Sequence, residues 1–273
     1  MTYFGFLAIF LGIPIAILGA LLWRDQRRGR ELPLSLQSVP AAVVVLVHVV
    51  LAVLYTTPWD NYLVATGVWW YEPALVTGIT LGWVPIEEYT FFVVQTILAS
   101  LWLLFLARRL AEPGQFRPSR RIRWWATGAI GTIWLASALV LAAGWQPGTY
   151  LGLELVWALP PIMLQLAFGA DILWHRRRLV GLTLMSMTLY LATADSLAIG
   201  AGTWTINPRQ SLHLLLGGVL PVEELVFFLL TNTLVVFGAT LLLSQESRLR
   251  AGRLFGRLRG QTPDGQEWRA AEG

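Results

Sequence analysis

Apolar residues occur along this chain in seven long runs, which shorter polar stretches separate. Each run is about 20 residues long, the length that a helix needs to cross the hydrocarbon core of a bilayer. The pattern therefore predicts an all-α integral membrane protein with seven transmembrane helices. The predicted spans are residues 3–23, 39–57, 83–107, 124–143, 149–172, 179–199 and 219–243.

The arginines alternate between the two ends of these spans. Clusters follow spans 1, 3, 5 and 7, whereas the three other loops contain only Arg209. Cytoplasmic loops of membrane proteins carry an excess of basic residues. We therefore expect a protein of the cell (inner) membrane, with the N-terminus outside and the C-terminus in the cytoplasm. The clusters are Arg24 to Arg30, Arg108 to Arg123, Arg176 to Arg178 and Arg248 to Arg259.

A short acidic motif occurs twice, each time beside an apolar run. Residues 85–92 read PIEEYTFF, and residues 221–228 read PVEELVFF. An acidic residue at the centre of a membrane helix costs roughly 2.5–3.5 kcal/mol, so two such pairs indicate a function. The similarity continues upstream at constant spacing, which predicts an internal duplication. The matching positions are Asp60 with Asp195, Gly67 with Gly202, Trp69 with Trp204, Pro73 with Pro208, Leu81 with Leu216 and Gly82 with Gly217.

The duplication predicts two three-helix repeats joined by a linking helix. Because a single span lies between them, the two repeats are parallel rather than inverted. We expect a first repeat at 1–110, a linker with the fourth span at 111–147, a second repeat at 148–245 and a basic cytoplasmic tail at 246–273. In the tail, apolar residues alternate with arginines, as in a short helix on anionic lipid. A solvated basic tail is the alternative.

The segment that contains each motif is too long for one straight crossing. As a helix, residues 74–107 would measure roughly 50 Å, against about 30 Å of hydrocarbon. We expect a break before Pro85 and before Pro221, with a half-helix or a re-entrant piece leading into each motif. The glutamates then lie in the first turn of the next helix, where the helix dipole stabilises negative charge.

Helical spacing aligns the carboxyl groups of each motif with aromatic rings. A buried carboxyl can hold a proton at neutral pH, and aromatic faces stabilise cations. An acid, a base and such rings in an apolar cavity suit protonation of an alkene followed by ring closure. The candidate residues are Glu87, Glu88, Glu223 and Glu224 as catalytic groups, Phe91, Phe92, Phe227, Phe228, Trp69 and Trp204 as substrate- and cation-stabilising groups, and Asp60 and Asp195 as supporting groups.

Composition narrows the functional classes. The chain contains no cysteine and no lysine, which excludes a disulfide, a thiolate metal site and a Schiff base to retinal. It carries neither a dinucleotide-binding motif nor a phosphate-binding loop, and its three histidines are scattered, so we expect no cofactor and no metal. The arginines lie in short clusters between apolar spans, so nucleic acid is not an expected partner.

Other interpretations of these residues stay open. The glutamate pairs can be helix caps among lipid headgroups, the two aspartates can be loop or cap residues, and the phenylalanines can serve packing alone. Gln95 and Asn232 can bridge helices. A small proton-coupled transporter is the main alternative function, and a non-catalytic carotenoid- or quinone-binding protein is a third. Spans 1, 2 and 4 are almost wholly apolar, which favours an apolar substrate.

The duplicated P-x-E-E motif with trailing aromatics, in six similar spans joined by a seventh, resembles the membrane-embedded lycopene cyclases. The resemblance covers the chain to about residue 245. It implies that the ψ end groups of lycopene close to give γ-carotene and then β-carotene, with no net redox change. It also implies catalytic roles for the four glutamates, and carotenoids, membrane lipid and other carotenoid-pathway enzymes as partners. An ε ring or a C50 substrate stays open.

The predicted orientation can be tested with alkaline phosphatase, which is active only outside the cytoplasm. A fusion at residue 146 should be active, because that loop is expected outside. A fusion after residue 178 should be inactive. Phosphatase assays on whole cells measure both, and the opposite pattern would move the acidic motifs to the cytoplasmic side.

Overall fold

The computed structural model describes residues 1–258, and seven helices in this part are long and apolar enough to cross a membrane. The predicted all-α, seven-span fold is confirmed, and the chain is a multi-pass membrane protein. An amphipathic eighth helix follows the last span. The helices are α1 (Tyr3–Arg27), α2 (Ala41–Ala65), α3 (Ile86–Ala107), α4 (Arg120–Ala142), α5 (Thr149–His175), α6 (Arg177–Gly200), α7 (Val222–Leu243) and α8 (Gln245–Leu258).

Helix α2 continues about eight residues beyond the predicted end of the second span. It passes through Pro58 and ends at Ala65, so Asp60 lies in a helix rather than in the expected loop. A proline and neighbouring polar residues are loop signals, but a proline within a membrane helix is tolerated where surrounding groups satisfy the backbone. Here Leu63, in the extension, is fully buried, and its packing outweighs the local signal.

A β-hairpin leads into each acidic motif. Strands β2 (Thr80–Leu81) and β3 (Val84–Pro85) pair before α3, and β5 (Leu215–Leu216) and β6 (Leu220–Pro221) pair before α7. The break before each proline is confirmed, whereas the half-helix or re-entrant piece is wrong. Glycines explain the difference, because Gly82 has a φ of 71° and Gly217 a φ of 59°. This left-handed conformation favours a tight turn over a helix.

A two-stranded ribbon joins the two loop regions that contain Trp69 and Trp204, the tryptophans at matching positions of the two predicted repeats. Strand β1 (Trp69–Tyr71) pairs antiparallel with β4 (Trp204–Ile206), and Trp70 lies opposite Thr205. A backbone hydrogen bond from Asn207 N to Val68 O, 2.8 Å long, extends the ribbon. The ribbon therefore links the loop of one predicted repeat to that of the other, on the side where the motif helices begin.

Helices α3 and α7, which carry the motifs, are the most buried spans. They pack against each other, and each also packs against the two preceding spans of its own predicted repeat. Helix α3 contacts α6, and in the same way α7 contacts α2. The linking helix α4 packs against α5 and is the most exposed span. Corresponding helices of the two predicted repeats thus make corresponding contacts around α3 and α7.

The first part of the tail is helix α8, in which Leu249, Leu254 and Phe255 are exposed, as a helix on a lipid surface would have them. Arg250 anchors this helix to α5. Its two terminal nitrogens each donate to a carboxylate oxygen of the buried Asp171, both at 2.7 Å. The rest of the predicted tail, residues 259–273, lies outside the described residues.

Loss of this ion pair should weaken the attachment of α8. In the Arg250→Gln variant, the Asp171 carboxylate stays buried without its cation, which typically costs about 3 kcal/mol or more. We expect a lower unfolding temperature in detergent, measured by intrinsic tryptophan fluorescence. Arg253→Gln removes the same charge from the exposed face of α8 and serves as the control. Equal unfolding temperatures for the two variants would contradict the anchoring role.

Candidate active site

The first glutamate of each motif binds the segment that precedes its own helix. Glu87 Oε1 accepts a hydrogen bond from the backbone N–H of Thr77, and Glu223 Oε1 accepts one from Leu212, both at 2.6 Å. The second oxygen of each carboxyl is buried and has no hydrogen-bond partner among the described residues. These two glutamates therefore hold the lead-in segments against the motif helices.

The second glutamate of each motif accepts hydrogen bonds from tyrosines. Glu88 accepts from the hydroxyls of Tyr3 and Tyr71, the latter at 3.1 Å. Glu224 accepts from the hydroxyl of Tyr150 at 2.8 Å. Both carboxyls line the same small cavity, of about 50 Å³. The structure thus brings one glutamate from each motif to a single enclosed point.

Aromatic residues form most of the wall of this cavity, and five of them are predicted candidates. Phe91 and Phe228 meet edge to face across the two motif helices, with ring centroids 6.3 Å apart. Phe92 does not line this cavity and faces a larger one instead. The predicted residues that line the small cavity are Glu88, Glu224, Asp195, Phe91, Phe227, Phe228, Trp69 and Trp204.

The two aspartates, Asp60 and Asp195, are buried residues within helices. Asp195 accepts a hydrogen bond from the indole N–H of Trp204 at 3.1 Å and lines the small cavity. Asp60 is buried in α2, and neither of its oxygens has a hydrogen-bond partner among the described residues. Neither aspartate is a loop residue, so the loop interpretation is wrong for both.

Three tyrosines of this cavity, Tyr3, Tyr71 and Tyr150, are residues that the sequence analysis did not include among its candidates. Tyr71, in the ribbon, also accepts a hydrogen bond from the indole N–H of Trp69 at 3.1 Å. Burial raises the pKa of the Tyr71 hydroxyl well above its usual range, and the negative charges of Glu88 and Asp60 act in the same direction. Tyr71 therefore keeps its proton and can donate it in the hydrogen bond to Glu88.

A repeated spacing could have revealed the other two tyrosines. Tyr3 and Pro14 in α1 are eleven residues apart, and so are Tyr150 and Pro161 in α5. In each predicted repeat, the tyrosine at the start of the first span donates to the second glutamate of the third span. Two matched residues are a weak signal when no shared motif surrounds them, so the spacing is evident only after the contacts are known.

Each of these tyrosines packs against a tryptophan of the other predicted repeat. The ring of Tyr150 lies 5.4 Å from that of Trp69, and the ring of Tyr3 lies 4.9 Å from that of Trp204. Because β1 pairs with β4, Trp69 and Trp204 each lie next to the other predicted repeat. The surroundings of each cavity glutamate are therefore built from both halves of the chain.

Glu154 makes the two glutamate environments different. It lies one helical turn after Tyr150 in α5, is completely buried, and has no hydrogen-bond partner for either oxygen among the described residues. The same offset from Tyr3 in α1 leads to Leu7. An additional carboxyl thus accompanies Glu224, whereas an apolar side chain occupies the corresponding position on the Glu88 side.

A much larger apolar cavity, of about 1030 Å³, lies between α2, α3, α5 and α7. Phe227 lines both this cavity and the small one. From Phe227 to Leu242 the cavity follows α7 for fifteen residues, which is about 22 Å at 1.5 Å per residue. Its far end reaches Ser247 and Ala251 in α8. An elongated apolar molecule in this space would point one end at the small cavity that Glu88 and Glu224 line.

Among the remaining polar residues of the spans, Gln95 and Asn232 bridge helices, whereas His48 contacts a carbonyl of its own helix α2. The amide nitrogen of Gln95 donates to the hydroxyl of Thr231 at 3.1 Å, and that of Asn232 donates to Thr188 at 3.4 Å. One ring nitrogen of His48 lies 2.7 Å from the carbonyl oxygen of Val44. Within residues 1–258, no three histidine, aspartate or glutamate side chains are grouped to hold a metal ion.

Comparison with known proteins agrees with these features. A family model described as lycopene cyclase matches residues 1–106 and 147–242, which leaves out the linking helix. No solved structure matches the chain.

The curated relatives include archaeal and fungal proteins. A lycopene beta-cyclase of Halobacterium salinarum is 37% identical over 243 residues, which cover 88% of this chain and 95% of that protein. A bifunctional lycopene cyclase/phytoene synthase of Podospora anserina is 40% identical over 200 residues, which cover 70% of this chain and 33% of that longer protein. With a matching family model over most of its length and relatives of this similarity, the chain belongs to the lycopene cyclase family.

Proposed function

We propose that this protein is a lycopene β-cyclase of the membrane. The observation that carries the proposal is the junction of two cavities at Phe227: a long apolar cavity that suits a polyene, and a small one that contains Glu88 and Glu224. The name of the archaeal relative, which matches over nearly its whole length, supports lycopene as the substrate and the β ring as the product.

The reaction is an isomerisation, because one proton is added to the end group at the start and one is removed from the ring at the end. An acid donates a proton to the terminal double bond of the ψ end group, which leaves a tertiary cation. A neighbouring double bond of the same end group attacks this cation, so the ring closes and the positive charge moves to a ring carbon. A base then removes a proton from the ring and forms the new double bond. Atoms and electrons balance without an oxidant or a reductant.

The hydrogen bonds support one assignment of the acid and base roles. Two tyrosine hydroxyls donate to Glu88, and such donors stabilise a carboxylate, so Glu88 is the base. Glu224 receives one such bond and has Glu154 nearby, an arrangement in which one carboxyl keeps a proton, so Glu224 is the acid. The proton that Glu88 collects returns to Glu224 through the small cavity that both carboxyls line, beside Asp195. Glu87 and Glu223 position the lead-in segments.

The aromatic wall stabilises the cation and must also yield to the substrate. A cation near an aromatic face gains roughly 0.5–2 kcal/mol per ring, and a ring cannot trap the cation as a nucleophile would. The small cavity holds about 50 Å³, far below the 300 Å³ or more of typical ligand pockets. Side chains at the junction, Phe227 first, therefore move when an end group enters.

We also propose the repeat organisation and the orientation that the sequence indicates. The repeats are 1–110 and 148–245, and residues 111–147 supply the linker. The equivalent hydrogen bonds of Glu87 and Glu223 support the repeats. The acidic cavity lies at the outer ends of the spans, because the arginine clusters lie at the opposite ends.

Replacement of Glu88 or Glu224 by glutamine should abolish most of the activity. Glutamine keeps the size of the side chain and a carbonyl oxygen but cannot transfer the proton, and acid–base groups typically contribute about 10²–10⁴-fold. The measurement is chromatography of the carotenoids formed from lycopene by purified protein in liposomes.

Glu87→Gln and Glu223→Gln are the matched controls. Their amide oxygens can still accept the backbone hydrogen bonds from Thr77 and Leu212, so these variants should keep most of the activity. Equal losses at all four positions would remove the proposed division of roles. Normal activity in both the Glu88 and the Glu224 variants would reject this acid–base pair.

Substitution of Phe91 or Phe228 by leucine should slow ring closure without unfolding the protein. Leucine keeps apolar bulk but loses the π face, which is worth up to about thirtyfold in rate. Phe105→Leu, at the arginine-rich end of α3, is the control, since Phe105 contacts Arg109 and lines neither cavity. Phenylalanine and leucine giving the same rate at both sites would assign these rings to packing alone.

A further inference from the structure

We propose that the polyene binds in only one of the two equivalent clefts of the fold, and that its two ends are cyclised in turn through that cleft. This inference rests on the proposed function. The cleft between α2 and α5, called here the open cleft, would take the polyene. The cleft between α6 and α1, called the closed cleft, would not.

The two clefts share an equivalent hydrogen bond at their outer ends. In the open cleft, the hydroxyl of Tyr55 donates to the carbonyl oxygen of Trp157 at 2.8 Å. In the closed cleft, the hydroxyl of Tyr190 donates to the carbonyl oxygen of Phe10 at 2.7 Å. Each tyrosine is five residues before the aspartate of its repeat, and each acceptor is four residues before the proline of its span. A difference farther along the clefts is therefore a difference between equivalent positions.

One such difference is a glycine against a tryptophan. Gly238 lines the large cavity and is fifteen residues after Glu223. The residue fifteen positions after Glu87 is Trp102, whose indole N–H donates to the hydroxyl of Ser186 at 2.7 Å. This side chain extends from α3 to α6. The largest side chain thus occupies this position beside the closed cleft. At Gly238 the open cleft has no side chain, and the cavity-lining His48 packs closely there, since an added Cβ would lie 2.3 Å from its Nε2.

A second difference acts in the same direction. Ala52 lines the large cavity and is eight residues before Asp60, whereas the residue eight positions before Asp195 is Met187, which is buried. A small residue again faces the open cleft where a long one fills the closed cleft. Two independent positions therefore explain why the cavity of about 1030 Å³ lies on this side.

The open cleft also has an entrance from the lipid. Helices α2 and α5 are joined at their outer ends by the Tyr55 bond and by one from the indole of Trp59 to Leu153 O, 3.2 Å long. Farther along, the cavity-lining residues Leu51 and Leu164 are 56% and 73% exposed. The cavity is thus bounded by side chains that face the membrane, where an apolar chain would arrive.

The volume of the open cleft and the single small cavity that Glu88 and Glu224 share determine the order in which the two rings close. About 1030 Å³ is at the upper limit for one small-molecule ligand, so the open cleft takes one polyene. Glu88 and Glu224 line one small cavity, so they form one reaction centre that closes one ring at a time. After the first ring closes, the one-ring product has to leave, turn around and enter again. The one-ring carotenoid is therefore a released intermediate.

A bulky label applied after folding tests the choice of cleft. The chain has no cysteine, so Leu164→Cys and its counterpart Ile17→Cys each introduce a single thiol on an exposed side chain. Each variant is assayed for lycopene cyclisation before and after alkylation, so that the effect of the label is measured against the same unlabelled protein. Alkylation with a bulky maleimide should stop the Leu164→Cys protein and leave the Ile17→Cys protein active. Equal inhibition, or none at Leu164→Cys, would overturn the single-cleft proposal.

Exchanging the filling residues is a second, independent test. Ala52→Met fills the open cleft and should lower the cyclisation rate about tenfold, whereas Met187→Ala should change it little. Size-exclusion chromatography of both variants shows whether each is folded. Full activity in a folded Ala52→Met protein would count against the proposal. Failure of the unsubstituted protein to cyclise lycopene would instead reject the proposed function itself.

Isotope dilution tests the release of the intermediate. Liposomes receive deuterated lycopene together with an excess of unlabelled γ-carotene. If the one-ring product leaves the protein, the unlabelled pool competes for re-entry, so the deuterium should collect in γ-carotene and little deuterated β-carotene should form. Deuterated β-carotene formed without deuterated γ-carotene would show that both ends react without release, and sequential entry would be wrong.

Discussion

The structure depends on the placement of the four glutamate carboxyl groups of the motifs inside an apolar bundle, where none of them forms a salt bridge with any of residues 1–258. Taking such groups out of water is costly unless hydrogen bonds compensate. Backbone N–H groups of the lead-in segments donate to one oxygen each of Glu87 and Glu223, and tyrosine hydroxyls donate to Glu88 and Glu224. These bonds explain why the β-hairpins, the first helix of each repeat and the ribbon all meet at the start of the motif helices.

Because each buried carboxyl needs its own hydrogen-bond partners, the two glutamates of a pair differ in their proposed roles. One holds the lead-in segment in place, and the other takes part in the reaction. Adjacent residues on a helix point about 100° apart, so the two carboxyls of a pair cannot share one environment. One faces the lead-in segment and has a fixed backbone partner. The other faces the bundle centre, where it meets its counterpart from the second motif and a wall of aromatic rings. In the proposed mechanism, the motif that occurs twice thereby supplies an acid and a base to one cavity.

The two predicted repeats form two equivalent clefts, but different side chains line them. Ala52 leaves space in one cleft, where Gly238 also has no side chain, whereas Met187 and Trp102 are the residues at the matching positions of the other. Glu154 and Leu7 differ in the same way beside the two cavity glutamates. The backbone arrangement is nearly symmetric, and the chemistry and the binding space are not. A single reaction centre with a single entrance is the simplest use of that asymmetry.

The sequence by itself determined the seven spans, the duplicated motif and most of the cavity residues, because hydrophobic runs and repeated spacing are local properties of a chain. It did not determine the lead-in hairpins, where left-handed glycines outweigh apolar content, or the helical position of Asp60, which depends on packing. The tyrosine partners of Glu88 and Glu224, and the opening of only one cleft, were decided by tertiary structure, since they depend on which distant side chains meet.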